Sequence, residues 1–160
     1  PRWTMVHHPA QREVRDIRRV ILHCSATPEG RKVTAEQICT WHLARGWSDI
    51  GYHYVIGIDG SIESGRDISK QGAHTRGHNA DSIGVCYIGG TDAQGNACNT
   101  LTANQHLAIR RLCRSLCRVL NRPLQLHGHK EYSSKACPSF DICDEFEELR
   151  RWMAHTWQMV

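Results

Sequence analysis

Short apolar runs rich in β-branched residues alternate along the chain with longer segments in which apolar residues recur at helical spacing. Runs of about four to eight such residues between turn signals are typical of strands. Four runs therefore predict strands, at residues 19–24, 51–58, 82–88 and 124–129. Helical periodicity predicts three helices, at about residues 34–46, 102–122 and 144–157.

Capping signals support the predicted helices. Thr-x-x-Gln boxes at residues 34–37 and 102–105 predict the starts of the first two, because the two side chains of each box satisfy each other's backbone N–H groups. In the third helix, Phe146, Leu149 and Met153 recur at helical spacing, which predicts a buried face.

A hairpin is predicted in the first half of the chain. Asp59-Gly60 is a strong signal for a tight turn, with residues 61–64 as the return strand. Side chains alternate between the two faces of a strand. In the run before the turn, this alternation predicts that Tyr52 faces the same way as Tyr54 and Ile56.

The order of elements is strand, helix, hairpin, strand, helix, strand, helix, which predicts an α/β fold with a central mixed sheet flanked by helices. A chain of 160 residues fits a single domain that buries about 70% of its unfolded surface. Residues 1–13 show no clear periodicity, so we expect an N-terminal extension there and the domain in residues 14–160. No apolar run approaches the roughly 20 residues that a membrane-spanning helix needs, and we expect no stable membrane association.

The net charge of +4 is mild and suits an anionic partner, such as a cell wall or a nucleic acid, without choosing between them. Arg110, Arg114 and Arg118 recur every four residues on the predicted second helix. This spacing indicates one stripe, and a solvated helix face is favoured over a binding surface. No nucleic-acid-binding motif accompanies the stripe, so we expect no nucleic-acid partner.

The eight cysteines do not form the pattern of a disulfide framework. Cys113 and Cys117 lie one helical turn apart among leucines, and Cys86 lies within an apolar strand, which predicts small core residues. If Cys137 is a metal ligand, seven thiols remain and cannot all pair within the chain. These positions favour synthesis in a reducing compartment, the cytoplasm.

Candidate metal ligands occur where three segments end or turn. His23 ends the first strand, His127 and His129 lie at the end of the last strand, and Cys137 precedes Pro138. Imidazole and thiolate are the ligands that zinc prefers, and a catalytic zinc keeps three protein ligands with one open position. The chain has no C-x-x-C pair of the kind common in closed structural sites, so an open catalytic site is favoured. This pattern alone leaves His127 and His129 as alternatives.

Six distinctive segments follow one another along the chain: HCSAT (23–27), GWSDIGYHY (46–54), GRD (65–67), GAH with HN (72–74 and 78–79), SIGV (82–85) and KACPSFD (135–141). With these segments the chain, from about Val20 to Asp141, resembles the type 2 N-acetylmuramoyl-L-alanine amidases. That family includes phage lysozyme-type amidases and peptidoglycan recognition proteins. The resemblance implies a zinc site in a groove at one edge of the sheet.

The resemblance also implies the ligands. In phage-type members the second histidine precedes the cysteine by eight positions, and a lysine precedes it by two, as His129 and Lys135 precede Cys137 here. It therefore implies a zinc ion held by His23, His129 and Cys137, and it favours His129 over His127.

Four further residues match family positions. Tyr52 and Lys135 match the catalytic positions, although a tyrosine in a strand also suits a core. His74 and Asn79 fall where family members form the substrate groove, and the resemblance implies a role in substrate binding. Both residue types equally suit a loop that is held together by its own side chains.

The resemblance implies an amidase that hydrolyses the bond between N-acetylmuramic acid and L-alanine in bacterial peptidoglycan, its glycan strand and stem peptide being the partner. The alternative is a binding module that holds peptidoglycan without cleaving it. Non-catalytic relatives typically lose the cysteine ligand, so Cys137 and Lys135 favour catalysis. We expect a monomer that is made in the cytoplasm and acts on the cell wall, either through a membrane pore or by export after processing.

Overall fold

The computed structural model describes residues 15–158, so the predicted extension at residues 1–13 lies outside the described residues. Seven strands are present in this part of the chain: β1 (Arg19–Cys24), β2 (Thr27–Pro28), β3 (Tyr54–Ile56), β4 (Ile62–Ser64), β5 (Ser82–Tyr87), β6 (Gly90–Thr91) and β7 (Gln125–Gly128). The helices are α1 (Ala35–Ala44), α2 (Ala103–Leu120), α3 (Ile142–Glu145) and α4 (Glu147–Arg151), with a 3₁₀ turn at His129–Glu131 and a π-helical turn at Trp152–Thr156.

Five strands form one sheet in the order β4-β3-β5-β1-β7. β1 runs parallel to both of its neighbours, β5 and β7, and β3 runs parallel to β5. β3 and β4 form the antiparallel hairpin that the Asp59-Gly60 turn predicted. The predicted mixed sheet is therefore confirmed, and the carboxyl ends of β5, β1 and β7 meet along one edge.

Both capping boxes form as predicted. The Thr34 hydroxyl accepts a hydrogen bond from the Gln37 backbone N–H at 3.1 Å, and the Thr34 N–H donates to the Gln37 side chain at 2.9 Å. Thr102 and Gln105 repeat this pattern at the start of α2. The Gln105 side chain also donates to the carbonyl oxygen of Ile88 at 2.9 Å, which ties α2 to the end of β5.

Helices pack on both faces of the sheet, because alternate strand residues point to opposite sides. On one face, Tyr54 and Ile56 join a core with the apolar residues of α2 and of the C-terminal helices. On the other face, Val55 packs with Cys86 and with residues of α1. Cys113 and Cys117 are fully buried, and no disulfide forms within residues 15–158.

Tyr52 does not face the way that strand alternation predicted. It packs against the cluster that contains Val55, opposite to Tyr54. The physical reason is that the backbone bends at His53 and the strand begins only at Tyr54, so the alternation does not extend back to Tyr52. This bend turns the phenol toward the end of β1.

The C-terminal segment is not the single helix that its periodicity predicted. Phe146, with φ of −135°, separates α3 from α4, and the chain then continues into the π-helical turn. The predicted burial of Phe146, Leu149 and Met153 is confirmed. The helix is thus interrupted at Phe146, but all three apolar side chains still pack into the core.

The arginine stripe on α2 is not simply a solvated face. The guanidinium groups of Arg114 and Arg118 lie over the Trp152 ring, at 5.3 Å and 5.5 Å from its centre. Such cation–π contacts stabilise by about 0.5–1 kcal/mol at exposed positions. Two of the three arginines thus contact the C-terminal segment.

No helix within the described range is long and apolar enough to cross a membrane.

Candidate metal centre

Three side chains that the sequence predicted as metal ligands come together at the carboxyl ends of β1 and β7. His23 is the fifth residue of β1, His129 follows β7 directly, and Cys137 lies in the loop after it. Their candidate ligand atoms all lie within 4.8 Å of one another. His23 and His129 are 106 positions apart in the chain, and they meet because β1 and β7 are parallel neighbours in the sheet.

His127 lies outside this cluster. Its Nδ1 is 2.9 Å from a carboxylate oxygen of Glu131, and its Nε2 is 2.9 Å from the side-chain oxygen of Gln125. β7 ends at Gly128, and the backbone then enters the 3₁₀ turn that brings His129 to the cluster. Both ring nitrogens of His127 are engaged elsewhere, so it is not a ligand of the same centre.

The donor set suits zinc, which binds imidazole nitrogen and thiolate sulfur and keeps three protein ligands at catalytic sites. The Cys137 sulfur is 3.8 Å from Nδ1 of His23, and it accepts a hydrogen bond from the Cys24 backbone N–H at 3.2 Å. Backbone N–H groups that donate to a sulfur favour its thiolate form. The residues present therefore fit a zinc ion.

The protonation states of the histidines also suit metal binding. Burial lowers the pKa of His23 well below its usual value, and the neighbouring His74, His129 and Lys135 lower it further. Burial, together with the charge of Lys135, likewise lowers the pKa of His129. Both imidazoles are thus neutral at pH 7, which is the form that binds a metal ion.

The Cys137 thiol behaves differently. Its hydrogen bond with the Cys24 thiol and its burial raise the pKa of Cys137 above the ordinary range for a thiol, and together they outweigh the backbone N–H of Cys24, which lowers it. A bound cation has the opposite effect on the pKa of Cys137, because it stabilises the thiolate directly. Metal binding at this site is therefore expected to release the Cys137 proton.

Tyr52 and Lys135 border the cluster. The Tyr52 ring centre is 5.1 Å from that of His23, and burial raises the pKa of the phenol well above its usual value. The phenol therefore stays protonated and can donate a hydrogen bond. Lys135 is exposed, and its charge acts on both His23 and His129. A phenol and an ammonium group thus lie beside the ligands.

His74 and Asn79 adopt the arrangement of a loop that holds itself together. The Asn79 side-chain oxygen accepts hydrogen bonds from the backbone N–H groups of His74 and Thr75, both at 2.9 Å. The His74 ring contacts His23, with 2.9 Å between Nδ1 of His74 and Nε2 of His23. These contacts favour the loop alternative, and substrate binding by these two residues stays a prediction.

Two side chains beside the cluster were not among the residues predicted from the sequence. The Thr75 hydroxyl is 3.2 Å from Nε2 of His23, across 52 positions of sequence, and the Ser82 hydroxyl is 3.3 Å from Nε2 of His74. No local motif marks either residue, because their partners come from other elements of the fold. The only sequence clue is that Thr75 directly follows His74.

Two histidines and a cysteine that come together beside a phenol and an ammonium group could hold a metal ion, and centres with three protein ligands are the kind that hydrolytic enzymes use. The particular family follows from comparison with known proteins. The chain belongs to the N-acetylmuramoyl-L-alanine amidase family, whose model matches residues 13–140. The family assignment made from the sequence motifs is thus confirmed.

Individual relatives agree with this assignment over most of the chain. The endolysin of Klebsiella phage KP32 is 41% identical over 133 residues, which cover 83% of this chain and 83% of that protein. The endolysin of Escherichia phage T7 is 40% identical over 142 residues, 89% of this chain and 87% of that one. The solved amidase LysC from Clostridium intestinale URNW has a TM-score of 0.70 and 28% identity, covering 92% of this chain and 89% of that one.

Proposed function

We propose that this protein is a zinc-dependent N-acetylmuramoyl-L-alanine amidase of the endolysin kind. It hydrolyses the amide bond between N-acetylmuramic acid and the L-alanine of the stem peptide in bacterial peptidoglycan. The single observation that carries the zinc dependence is the cluster of His23, His129 and Cys137, whose ligand atoms lie within 4.8 Å of one another. The family and the phage endolysins at about 40% identity support the substrate and the bond.

His23, His129 and Cys137 would hold the zinc ion through one nitrogen each and the sulfur. When bound, zinc supplies Lewis acidity and lowers the pKa of a coordinated water to about 7. A set of three protein ligands would be that of a catalytic zinc site rather than of a closed structural one.

Tyr52 and Lys135 assist the hydrolysis in this proposal. Attack on an amide carbonyl builds negative charge on its oxygen, and a fixed donor or cation beside that oxygen stabilises the transition state. The Tyr52 phenol stays protonated because burial raises its pKa, so it can donate a hydrogen bond to that oxygen. Lys135 supplies a positive charge at the exposed side of the ligands.

The proposal extends to the partner and the place of action. Residues 14–160 form the amidase domain, which acts as a monomer on the glycan strand and stem peptide. The enzyme is made in the cytoplasm and acts on the cell wall, as an endolysin does. Because Cys137 and Lys135 are both present, a module that only binds peptidoglycan is the less favoured candidate.

Product analysis tests the cleaved bond. Purified peptidoglycan is incubated with the protein, and the soluble products are separated and identified by mass spectrometry. The expected products are stem peptides with a free N-terminal L-alanine and glycan strands without new reducing ends. Binding of peptidoglycan without new amino termini would instead support the binding module, and new reducing ends would indicate cleavage of the glycan.

A further inference from the structure

The His23 ring has a contact on the side away from Cys137. Nδ1 of His23 lies toward the Cys137 sulfur, at 3.8 Å, whereas Nε2 lies 2.9 Å from Nδ1 of His74. The Thr75 hydroxyl approaches the same two nitrogens, at 3.2 Å from Nε2 of His23 and 2.9 Å from Nδ1 of His74. His23 is 1% exposed, so no solvent competes for its Nε2.

The hydrogen-bond partners determine where the protons lie. The Ser82 hydroxyl donates to the carbonyl oxygen of His78 at 2.6 Å, so its proton is already used. Its oxygen can therefore only accept from Nε2 of His74, at 3.3 Å. In a neutral imidazole one nitrogen donates and the other accepts, which leaves Nδ1 of His74 as an acceptor.

An acceptor at Nδ1 of His74 needs a donor, and two groups lie within reach. It accepts either from Nε2–H of His23 directly or from the Thr75 hydroxyl, which in turn accepts from His23. In both arrangements Nε2 of His23 carries the proton. Nδ1 of His23 then keeps its lone pair and faces Cys137.

Packing holds the His74 ring in this position. The ring lies against the backbone of β5 at Gly84, where a Cβ atom would approach ring atoms to 2.5–2.8 Å. Such distances are too short for any side chain larger than hydrogen. The absence of a side chain at Gly84 thus provides the space in which His74 meets His23.

We propose that His74 is a positioning residue for the metal centre: its Nδ1 accepts a hydrogen bond from Nε2–H of His23, directly or through the Thr75 hydroxyl, and thereby presents Nδ1 of His23 to the metal ion. This inference rests on the proposed zinc site, and it assigns His74 a role other than contact with substrate. Partners of this kind orient a ligating imidazole and select its tautomer, and their loss typically weakens metal affinity by about 10–100-fold.

Zinc affinity tests the proposal without reference to activity. Dissociation constants are measured by competition with a chromophoric chelator for the wild type and for His74→Phe, which fills the ring space but cannot accept a hydrogen bond. We expect His74→Phe to bind zinc about 10–100-fold more weakly. His74→Asn, whose side-chain oxygen can lie near the position of Nδ1, is expected to recover most of the affinity.

His78→Phe is the matched control, because the His78 ring lies in the same loop and stacks on Tyr132 at 4.0 Å without contacting His23. We expect it to bind zinc as the wild type does. If His74→Phe also keeps wild-type affinity, the positioning role is wrong although the zinc site stands. If the wild type binds no zinc, both the zinc site and the positioning role are wrong.

A second measurement needs no variant and therefore does not depend on a mutant that folds. Long-range ¹H–¹⁵N NMR spectra of zinc-loaded wild-type protein report which nitrogen of each neutral histidine carries a proton. The expected result is a protonated Nε2 and a bare Nδ1 on His74. A His74 ring protonated at Nδ1 would overturn the proposal, because it could not accept from His23.

Discussion

Cys137→Ser is expected to lose stoichiometric zinc and to release no detectable L-alanine termini from peptidoglycan. Zinc binds thiolate strongly, whereas a serine hydroxyl stays protonated at neutral pH and is a poor ligand. With two imidazoles left, the centre keeps too few ligands to hold the ion. We expect amidase activity to fall by at least about 10³-fold, in line with the removal of an essential group, and zinc content, measured by atomic emission, to approach zero.

Cys143→Ser is the control for this experiment. Cys143 is an exposed thiol on α3, outside the metal cluster, so its replacement makes the same chemical change without touching a ligand. This variant should keep both zinc and activity. A Cys137→Ser protein that retains one zinc per chain, or cleaves at the wild-type rate, would contradict the assigned ligand set.

Lys135→Met is expected to lower kcat by about 10²–10³-fold, the range seen when one stabilising donor for a developing negative charge is removed. Methionine keeps much of the length of the side chain but not its charge. Zinc content should not fall, because Lys135 is not a proposed ligand and burial, the larger cause of the low pKa of His23 and of His129, is unchanged in this variant. Steady-state kinetics with a soluble muramyl-peptide substrate, together with metal analysis, would measure both effects.

Lys130→Met is the control for Lys135→Met, because it removes one positive charge from the same region without removing Lys135. Lys130 is also exposed and lies in the segment before Cys137, but its ammonium group pairs with Asp141 at 2.7 Å. We expect this variant to change kcat little. Equal losses in the two variants would indicate a general effect of net charge on the approach to an anionic polymer, and the specific role of Lys135 would then be wrong.

Elements with local signals could be predicted from the sequence. The strand at 19–24 and the starts of α1 and α2 lie where the apolar run and the capping boxes predicted them, because those signals act over a few residues. The face of Tyr52 could not be predicted in this way. It depends on a bend at His53, a residue whose backbone pairs with Gly84 of a distant strand.

The proposed metal ligands, too, could be predicted only in part from local patterns in the sequence. His23 and Cys137 could be identified as candidates from the ligand types and from the segments that end there. The choice of His129 over His127 needed the resemblance to a family, because local pattern does not reveal that β7 stops at Gly128. The contacts of His74 with His23 and Ser82 join three separate segments of the chain, so no sequence periodicity predicts them.

Stepwise return of zinc to metal-free protein tests the central claim most directly. The metal is removed with a chelator, zinc is added back in known fractions, and the release of N-terminal L-alanine from peptidoglycan is measured at each step. We predict no activity without zinc and a linear rise that ends at about one zinc per chain. Full activity in the metal-free protein, or zinc binding that leaves activity absent, would contradict a zinc-dependent amidase built on His23, His129 and Cys137.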